Sequence, residues 1–157
     1  MPIINAKITL ETKGFTDIID ITKEVLTIID NNNVESGQAL IYAQGSTVSI
    51  TTIEYEPGLI KDLPEILEKI APMRHKYHHD EKWQDGNGYA HIRSSIIGNS
   101  ITVPIINGEP ALGTWQQIVL IDFDNRPRVR QVILQLITLD EIFFQGQNCS
   151  LSPILDS

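Results

Sequence analysis

Six stretches rich in apolar and β-branched residues predict β-strands, and several of them alternate apolar with polar positions. In the first stretch, Ile8 and Leu10 share the face that we expect to be buried. The predicted strands cover residues 6–12, 38–44, 46–54, 100–106, 115–123 and 129–138. Gly45 separates the second strand from the third, and Asn107-Gly108 after the fourth predicts a tight hairpin turn.

Apolar residues spaced three and four positions apart predict three helices. The helices begin near residues 21, 59 and 89 and end near residues 30, 70 and 97. Asp20 is expected to cap the first helix, and Pro64 to kink or restart the second with Asp62 as the new cap. In the third helix, we expect Ile92 and Ile96 on the inner face.

The segment between the second and third helices has no apolar period. Residues 73–88 contain the run Asp85-Gly86-Asn87-Gly88 and therefore predict a long loop, of the kind that is often functional. Strands and helices do not alternate regularly, which favours an α+β fold over a doubly wound parallel sheet. We expect a single domain over residues 1–138 and a peripheral C-terminal extension over residues 139–157.

Composition narrows the classes of partner. The chain has 157 residues, which fits one domain, and its 12 basic and 20 acidic side chains give a net charge of -8. We therefore expect neither nucleic acid nor an anionic membrane surface as a partner. The single cysteine, Cys149, excludes a disulfide within the chain and a cysteine-based zinc site. The sequence shows no signal peptide and no spanning apolar run, which predicts a cytoplasmic protein.

Chemistry-bearing side chains concentrate in one short window. It holds all four histidines, which are His75, His78, His79 and His91. Imidazole is the side chain best suited to bind a metal or exchange protons near neutral pH. A site forms if the loop brings His79 to His91, with Asp85 either as a third metal ligand or as an acceptor that orients a ring. Arg93 either binds a phosphate or carboxylate group or pairs with a neighbouring acid.

The glycines of the same window add a second possibility for binding. Gly86 and Gly88 permit positive φ angles and a close approach of the backbone to a ligand. The start of the following helix offers N–H groups to an anion. The segment Gly86, Asn87 and Gly88 is therefore a candidate cofactor- or anion-binding bend, although it lacks the Lys-Ser/Thr of a Walker loop.

Several sequence blocks, taken in order, resemble the YjbQ family. The blocks are residues 45–47 (GST), 53–59 (IEYEPGL), 77–83 (YHHDEKW), 85–88 (DGNG), 91–95 (HIRSS) and 112–128 (LGTWQQIVLIDFDNRPR). The resemblance covers roughly residues 5–137. It implies a compact α+β fold with β-sandwich-like sheets and two or three helices, assembled as a homotrimer. It also implies a weak, secondary thiamine phosphate synthase activity, which joins a pyrimidine methyl pyrophosphate to a thiazole phosphate and releases pyrophosphate.

The resemblance places His79 and His91 on histidines typical of a metal or catalytic site in that family. Two positions depart from the family pattern, because Gly45 and Tyr89 stand where many members carry histidine. A three-histidine site is therefore not expected. Two histidines with Asp85, Asp80 or water remain as ligands for a divalent metal.

The implied reaction needs positive charge near the departing pyrophosphate and a group that orients the nucleophile. Arg93, a helix N-terminus and a divalent cation are candidates for the first role, and Glu54 or His91 for the second. The alternative function is a non-catalytic trimer that binds a metal or a small anion, such as a small phosphorylated molecule. A purely structural assembly protein is the third candidate. The apolar strands 100–106, 115–123 and 129–138 suggest a surface covered by partner subunits.

Overall fold

A computed structural model describes residues 2–138, and these residues form the predicted α+β fold with two antiparallel sheets. The strands are β1 (Ile3–Thr12), β2 (Asp17–Asp20), β3 (Ser36–Ala43), β4 (Val48–Ile53), β5 (Ser100–Ile106), β6 (Glu109–Pro110), β7 (Gln117–Asp122) and β8 (Arg128–Thr138). The helices are α1 (Thr22–Asn31), α2 (Leu59–Ile70), α3 (His78–Trp83) and α4 (Gly88–Ile97). The predicted extension 139–157 lies outside the described residues. Within residues 2–138, no helix is long and apolar enough to cross a membrane.

The two sheets and the helices make layers around two hydrophobic cores. One sheet has the strand order β1-β8-β3-β5-β6, and the other has the order β2-β7-β4. The first core lies between the sheets and includes the apolar face of α1. The second core lies where α2 and α4 cover the other face of β7. Because both faces of β7 are buried within one chain, its apolar sequence needs no partner subunit to cover it.

The alternating strands follow the predicted pattern closely. In β8, Val132, Leu134 and Leu136 face the first core, and Arg130 continues the same inward face. The hairpin turn falls where predicted, because Ile106 of β5 pairs with Glu109 of β6 across two residues that both have positive φ. The second and third predicted strands, on either side of Gly45, join different sheets.

Two predictions for α2 were wrong in detail. The helix runs from Leu59 to Ile70 through Pro64 without a restart, so Asp62 is not a cap. The start of the helix is held instead by Glu56, whose carboxylate accepts hydrogen bonds from the N–H groups of Gly58 and Leu59. Those bonds lower the pKa of Glu56. One missing N–H at the proline is tolerated because the helix is anchored by its apolar face in the second core.

The predicted inner face of α4 was also wrong. Ile92 and Ile96 are 44% and 55% exposed, whereas Arg93 on the inner face is 1% exposed. The buried residues of α4 are Gly88, Tyr89, Ala90, Arg93 and Ser94. Counting apolar positions alone misassigns this helix, because a fully hydrogen-bonded arginine occupies the core position.

The predicted loop 73–88 is a loop only in part. Its centre forms the short helix α3, which raises the number of helices in the described residues to four. The backbone carbonyl of Tyr77 accepts from the N–H groups of Asp80 and Glu81, and Gln84 ends the helix in the left-handed conformation. Such a short helix carries no apolar period that a sequence pattern could detect.

Candidate functional site

Two short helices bring two imidazoles together. His79 is the second residue of α3, and His91 is the fourth residue of α4. The two ring centroids are 4.3 Å apart, and the ring planes are inclined by 45°. The structure therefore places together the two histidines that the sequence singled out.

The bend between α3 and α4 explains this meeting. Gln84 and Gly86 both have positive φ, so the chain reverses direction and α4 returns beside α3. The carboxylate of Asp80 accepts a hydrogen bond of 2.9 Å from the N–H of Gly88, which fixes the first residue of α4. A Cβ atom on Gly88 would lie 2.5 Å from Cβ of Tyr77, so only glycine permits this close approach.

Asp85 and Asn87 surround His79 on the side of the bend. Oδ1 of Asp85 is 3.6 Å from Nε2 of His79. The side-chain nitrogen of Asn87, in the orientation that satisfies its neighbours, lies 3.2 Å from Oδ1 of Asp85 and 3.3 Å from Nε2 of His79. The amide thus donates to the carboxylate and to the imidazole, and it makes Nε2 of His79 an acceptor.

His91 is the more protected imidazole of the pair. Burial first, and the neighbouring His79 second, lower the pKa of His91 against the opposing effect of the carboxylates of Asp85, Asp124 and Asp80. His91 is therefore neutral near pH 7 and offers a lone pair to a proton, a hydrogen-bond donor or a metal.

A cleft of about 370 Å³ opens beside this cluster. It is lined by Asp85, Asn87, Asn125, Arg126 and Arg128. The side chain of Asn125 donates a hydrogen bond of 2.6 Å to the backbone carbonyl of Asp85, which joins the turn after β7 to the bend before α4. The volume lies within the usual range for small-molecule sites.

A buried network of charges supports the far wall of the cleft. Arg130 donates from Nε and Nη2 to the two oxygens of Asp122, at 2.7 and 2.6 Å. Arg128 donates from Nε to Oδ2 of Asp124 at 2.7 Å. Thr47 also donates to Asp124, at 3.1 Å. Both carboxylates are buried, and each is paired with an arginine.

The pKa of Asp124 shows the outcome of that pairing. Burial acts to raise the pKa, but hydrogen bonds from Arg128, the backbone of Asn125 and Thr47 outweigh burial and lower it. Gly14 supports the same turn, because the ideal Cβ position at Gly14 is only 2.5 Å from the carbonyl oxygen of Asp124. The turn after β7 is therefore fixed by both charge and close packing.

The structure does not bring Arg93 to the cleft. The guanidinium is buried and donates to the carbonyl of Ala71, to the hydroxyl of Thr16 and to the carboxylate of Glu68. Its hydrogen-bonding groups are thus engaged inside the fold. Of the two roles considered for Arg93, the structure shows the pairing with a neighbouring acid.

Glu54 is also remote from the cluster. It follows β4, whose first residue, Val48, pairs with Asp122, whereas the last residue, Ile53, pairs with Gln117. At about 3.3 Å per residue, Glu54 lies roughly 20 Å along the strand from the end of β4 near the cleft. Glu54 is exposed there, so it does not belong to this site as a base.

Gly86, Asn87 and Gly88, the candidate cofactor-binding bend, have different roles in the structure. Asn87 lines the cleft and contacts His79, whereas the N–H of Gly88 is already bonded to Asp80. Gly86 supplies a positive φ of 66° at the exposed side of the bend. Asn87 is thus the one residue of the three that offers a side chain to a ligand.

The resemblance implies a divalent metal bound by His79, His91 and Asp85. The donor set of His79, His91 and Asp85 suits a divalent cation by chemistry. Among residues 2–138, however, no group of three histidine, cysteine or acidic side chains converges in a geometry that could hold one. The amide of Asn87 stands between Asp85 and His79 instead. The three named ligands do not form a preorganised metal centre.

The two departures from the family pattern occupy different places. Tyr89 is buried in the second core, with its ring 5.0 Å from the guanidinium of Arg93, and its hydroxyl has no hydrogen-bond partner among the described residues. Burial raises the pKa of Tyr89. Gly45 lies beside the buried network, where its ideal Cβ position is 3.1 Å from Nη1 of Arg130.

The sequence reasoning missed the arginines and the asparagine of the cleft. Asn125 and Arg126 lie in the turn after β7, which looks like a simple connection between strands, and Arg128 begins β8. One signal was available, because Arg128 and Arg130 continue the inward-facing positions of β8, where a charged residue requires a buried partner.

Comparison with known proteins identifies relatives that this chain covers over almost their whole length. Residues 6–139 match the family model for UPF0047 proteins, YjbQ-like. A UPF0047 protein of Archaeoglobus fulgidus is 37% identical over 131 residues, which cover 83% of this chain and 99% of that protein. The UPF0047 protein YugU of Bacillus subtilis is 34% identical over 129 residues, which cover 82% of this chain and 95% of YugU.

Solved structures show the same fold. A YbjQ-like protein of unknown function from Sulfolobus solfataricus superposes with a TM-score of 0.82 at 25% identity, and the match covers 88% of this chain and 99% of that one. An uncharacterised YjbQ/UPF0047 protein from Clostridium acetobutylicum has a TM-score of 0.77 at 34% identity, with 84% and 99% covered. The family match, the sequence identity and the shared fold agree, and this chain belongs to the UPF0047 family of YjbQ-like proteins.

Proposed function

We propose that this protein binds a small phosphorylated molecule in the cleft and transfers a group from it, with the weak thiamine phosphate synthase reaction as the chemistry to test. The observation that carries the proposal is the imidazole pair, His79 and His91, held 4.3 Å apart beside the cleft. A short bend with two positive φ angles and a glycine in close contact is a costly way to make a simple surface connection. Such a bend is typical of a segment that positions functional side chains.

In the proposed reaction, the bond between the pyrimidine methylene carbon and the pyrophosphate oxygen breaks. The electron pair leaves with pyrophosphate, and the thiazole nitrogen forms the new bond to the methylene carbon. The chain's own contribution is orientation and charge. Neutral His91 accepts a hydrogen bond from a substrate N–H or O–H group, while Asp85 orients the amide of Asn87, which donates to His79. The sequence predicts that this reaction takes place in the cytoplasm.

The alternative is a protein that binds a metal or a small anion without turnover. It is favoured by Tyr89, which stands where many family members carry histidine and points into the second core. The same cleft serves either function, so only turnover separates them. A divalent metal remains a proposal in both cases, and metal analysis of the purified native protein tests it.

We also propose a homotrimer. The support is an exposed apolar strip on α4 and no longer the apolar strands from which the sequence suggested it. The apolar strand β7 is covered within the chain, but α4 exposes Ile92 and Ile96 on its outer face. Exposed isoleucines one helical turn apart form an apolar strip that a neighbouring subunit would cover.

The transferase proposal is tested by measuring thiamine phosphate formed from the pyrimidine pyrophosphate and thiazole phosphate. The wild-type protein is expected to form product, and His91→Asn is expected to lose that activity while keeping its melting temperature. His75→Asn is the matched control, because His75 is exposed outside the pair. Absence of product with the wild-type protein, or equal rates for His91→Asn and the wild-type protein, would refute the proposal.

A further inference from the structure

We infer that Arg126 and Arg128, with Asn125, form an anion subsite that takes the phosphate or pyrophosphate group of the ligand. The inference rests on the proposed function, because it assigns the phosphorylated end of the substrate to a definite wall of the cleft. It transfers to these arginines the role that the sequence had suggested for Arg93.

Arg126 and Arg128 combine a place in the lining of the cleft with N–H donors that are left for a ligand. Arg126 is exposed, and no carboxylate of residues 2–138 lies within 4.0 Å of its side-chain nitrogens. Within the same residues, Arg128 uses only Nε in a hydrogen bond, so its two terminal nitrogens have no protein partner. A guanidinium has five N–H donors in a planar fork, which suits the oxygens of a phosphate group.

Arg128 is held in place before any ligand arrives. Its Nε donates to Asp124, and Asp124 is itself fixed by Thr47, by the N–H of Asn125 and by Arg130. One edge of the guanidinium is therefore anchored to a buried carboxylate. The remaining donors can bind an anion with little loss of side-chain entropy, because the side chain is already ordered.

The cleft is less acidic than the chain as a whole, and its free N–H donors lie on the side of the arginines. The net charge of the chain is -8, which repels anions at long range. At the cleft, Arg126 and Arg128 are balanced by Asp85 in the lining and by Asp124, which pairs with Arg128. Both oxygens of Asp85 lie near the amide nitrogen of Asn87, and one faces His79. This arrangement directs the phosphorylated end of a ligand to the arginines and its other end to the imidazoles.

Calorimetric titration with inorganic pyrophosphate, in low salt with a chelator to exclude metals, tests the subsite. We expect saturable binding to the wild-type protein. Arg126→Gln should weaken the affinity by about tenfold or more, which is the effect of losing charge-assisted hydrogen bonds. Arg126 has no partner in the described part of the chain, so this variant should keep the wild-type melting temperature. Arg74→Gln makes the same charge change at an exposed residue outside the cleft and should bind like the wild-type protein.

Arg128→Lys provides a second test, because it keeps the charge and removes the fork. It should bind pyrophosphate more weakly than the wild-type protein and more tightly than a glutamine variant at the same position. The inference is overturned if the wild-type protein shows no saturable binding. It is also overturned if Arg126→Gln and Arg128→Lys both bind as tightly as the wild-type protein.

The same titration separates this inference from the proposed function. A double variant, His79→Asn with His91→Asn, should lose turnover and still bind pyrophosphate. Pyrophosphate binding without turnover in the wild-type protein would refute the transferase and support the anion subsite. Turnover that is unchanged in Arg126→Gln, in both kcat and KM, would support the transferase and refute the subsite.

Discussion

Replacing the buried Arg93 with methionine should destabilise the fold rather than remove a ligand contact. Arg93→Met keeps a long unbranched side chain in the second core but removes every N–H donor. The carbonyl of Ala71, which accepts bonds of 3.0 and 2.8 Å, would lose both. The hydroxyl of Thr16, now bonded at 2.9 Å, would lose its donor as well.

The size of the effect follows from the burial of these partners. Leaving a buried hydrogen-bond acceptor without its donor costs about 1–3 kcal/mol, and Arg93→Met leaves two such acceptors, at Ala71 and Thr16. The ion pair between Arg93 and Glu68, at 2.5 Å, contributes less than about 1 kcal/mol, because the side chain of Glu68 is 42% exposed. The methionine recovers part of the apolar burial, so we expect a loss of about 3 kcal/mol in the free energy of unfolding.

Urea unfolding followed by circular dichroism, at one fixed protein concentration, measures this loss. With a slope of about 2 kcal/mol per molar urea, the midpoint should fall by roughly 1.5 M. Glu68→Gln is the matched control and should shift the midpoint by less than about 0.5 M, since it removes only the partly exposed pair. A wild-type midpoint for Arg93→Met would refute the argument that the guanidinium is a structural group.

Three further predictions concern packing, pH and assembly. Gly14→Ala should lower the melting temperature by at least about 4 °C more than Gly98→Ala. Both glycines have positive φ, but only at Gly14 would a Cβ meet neighbouring carbonyl oxygens, at 2.5 and 2.7 Å; equal losses would contradict this. Folding lowers the pKa of His91 from 6.5, so the unfolded chain takes up the proton first. The stability that depends on neutral His91 is therefore fully present above pH 6.5 and is lost as the pH falls below it. His91→Gln should flatten that part of the plot of unfolding free energy against pH. An unchanged slope would contradict this expectation. The double change Ile92→Ser with Ile96→Ser should reduce the mass measured by light scattering from a trimer to a monomer, and a persisting trimer would show that another surface joins the subunits.

The sequence predicted the features that depend on local periodicity. The α+β class, the buried face of Ile8 and Leu10 in β1 and the hairpin turn after β5 follow from alternation and from the Asn-Gly pair. The sequence made the meeting of His79 with His91 the condition for a site, and the structure brings these two rings together.

The remaining features depend on contacts between distant segments. The inner face of α4 holds Arg93, and its burial depends on acceptors at Thr16 and Ala71 that no spacing rule connects. The cleft depends on Asn125 reaching the backbone of Asp85, forty positions earlier in the chain. Periodicity within a segment carries no information on such pairings. The sequence analysis therefore did not identify Arg126 and Arg128 as residues of the cleft.

Histidine side-chain NMR shows whether the imidazole pair and the anion subsite of Arg126 and Arg128 serve one ligand. The chain carries its own controls, because His75 and His78 are exposed outside the pair. On addition of the pyrimidine pyrophosphate, which carries both ends of the proposed ligand, the imidazole resonances of His79 and His91 should shift in a saturable manner while those of His75 and His78 stay in place. Four unchanged imidazoles, or equal shifts at all four, would contradict the account.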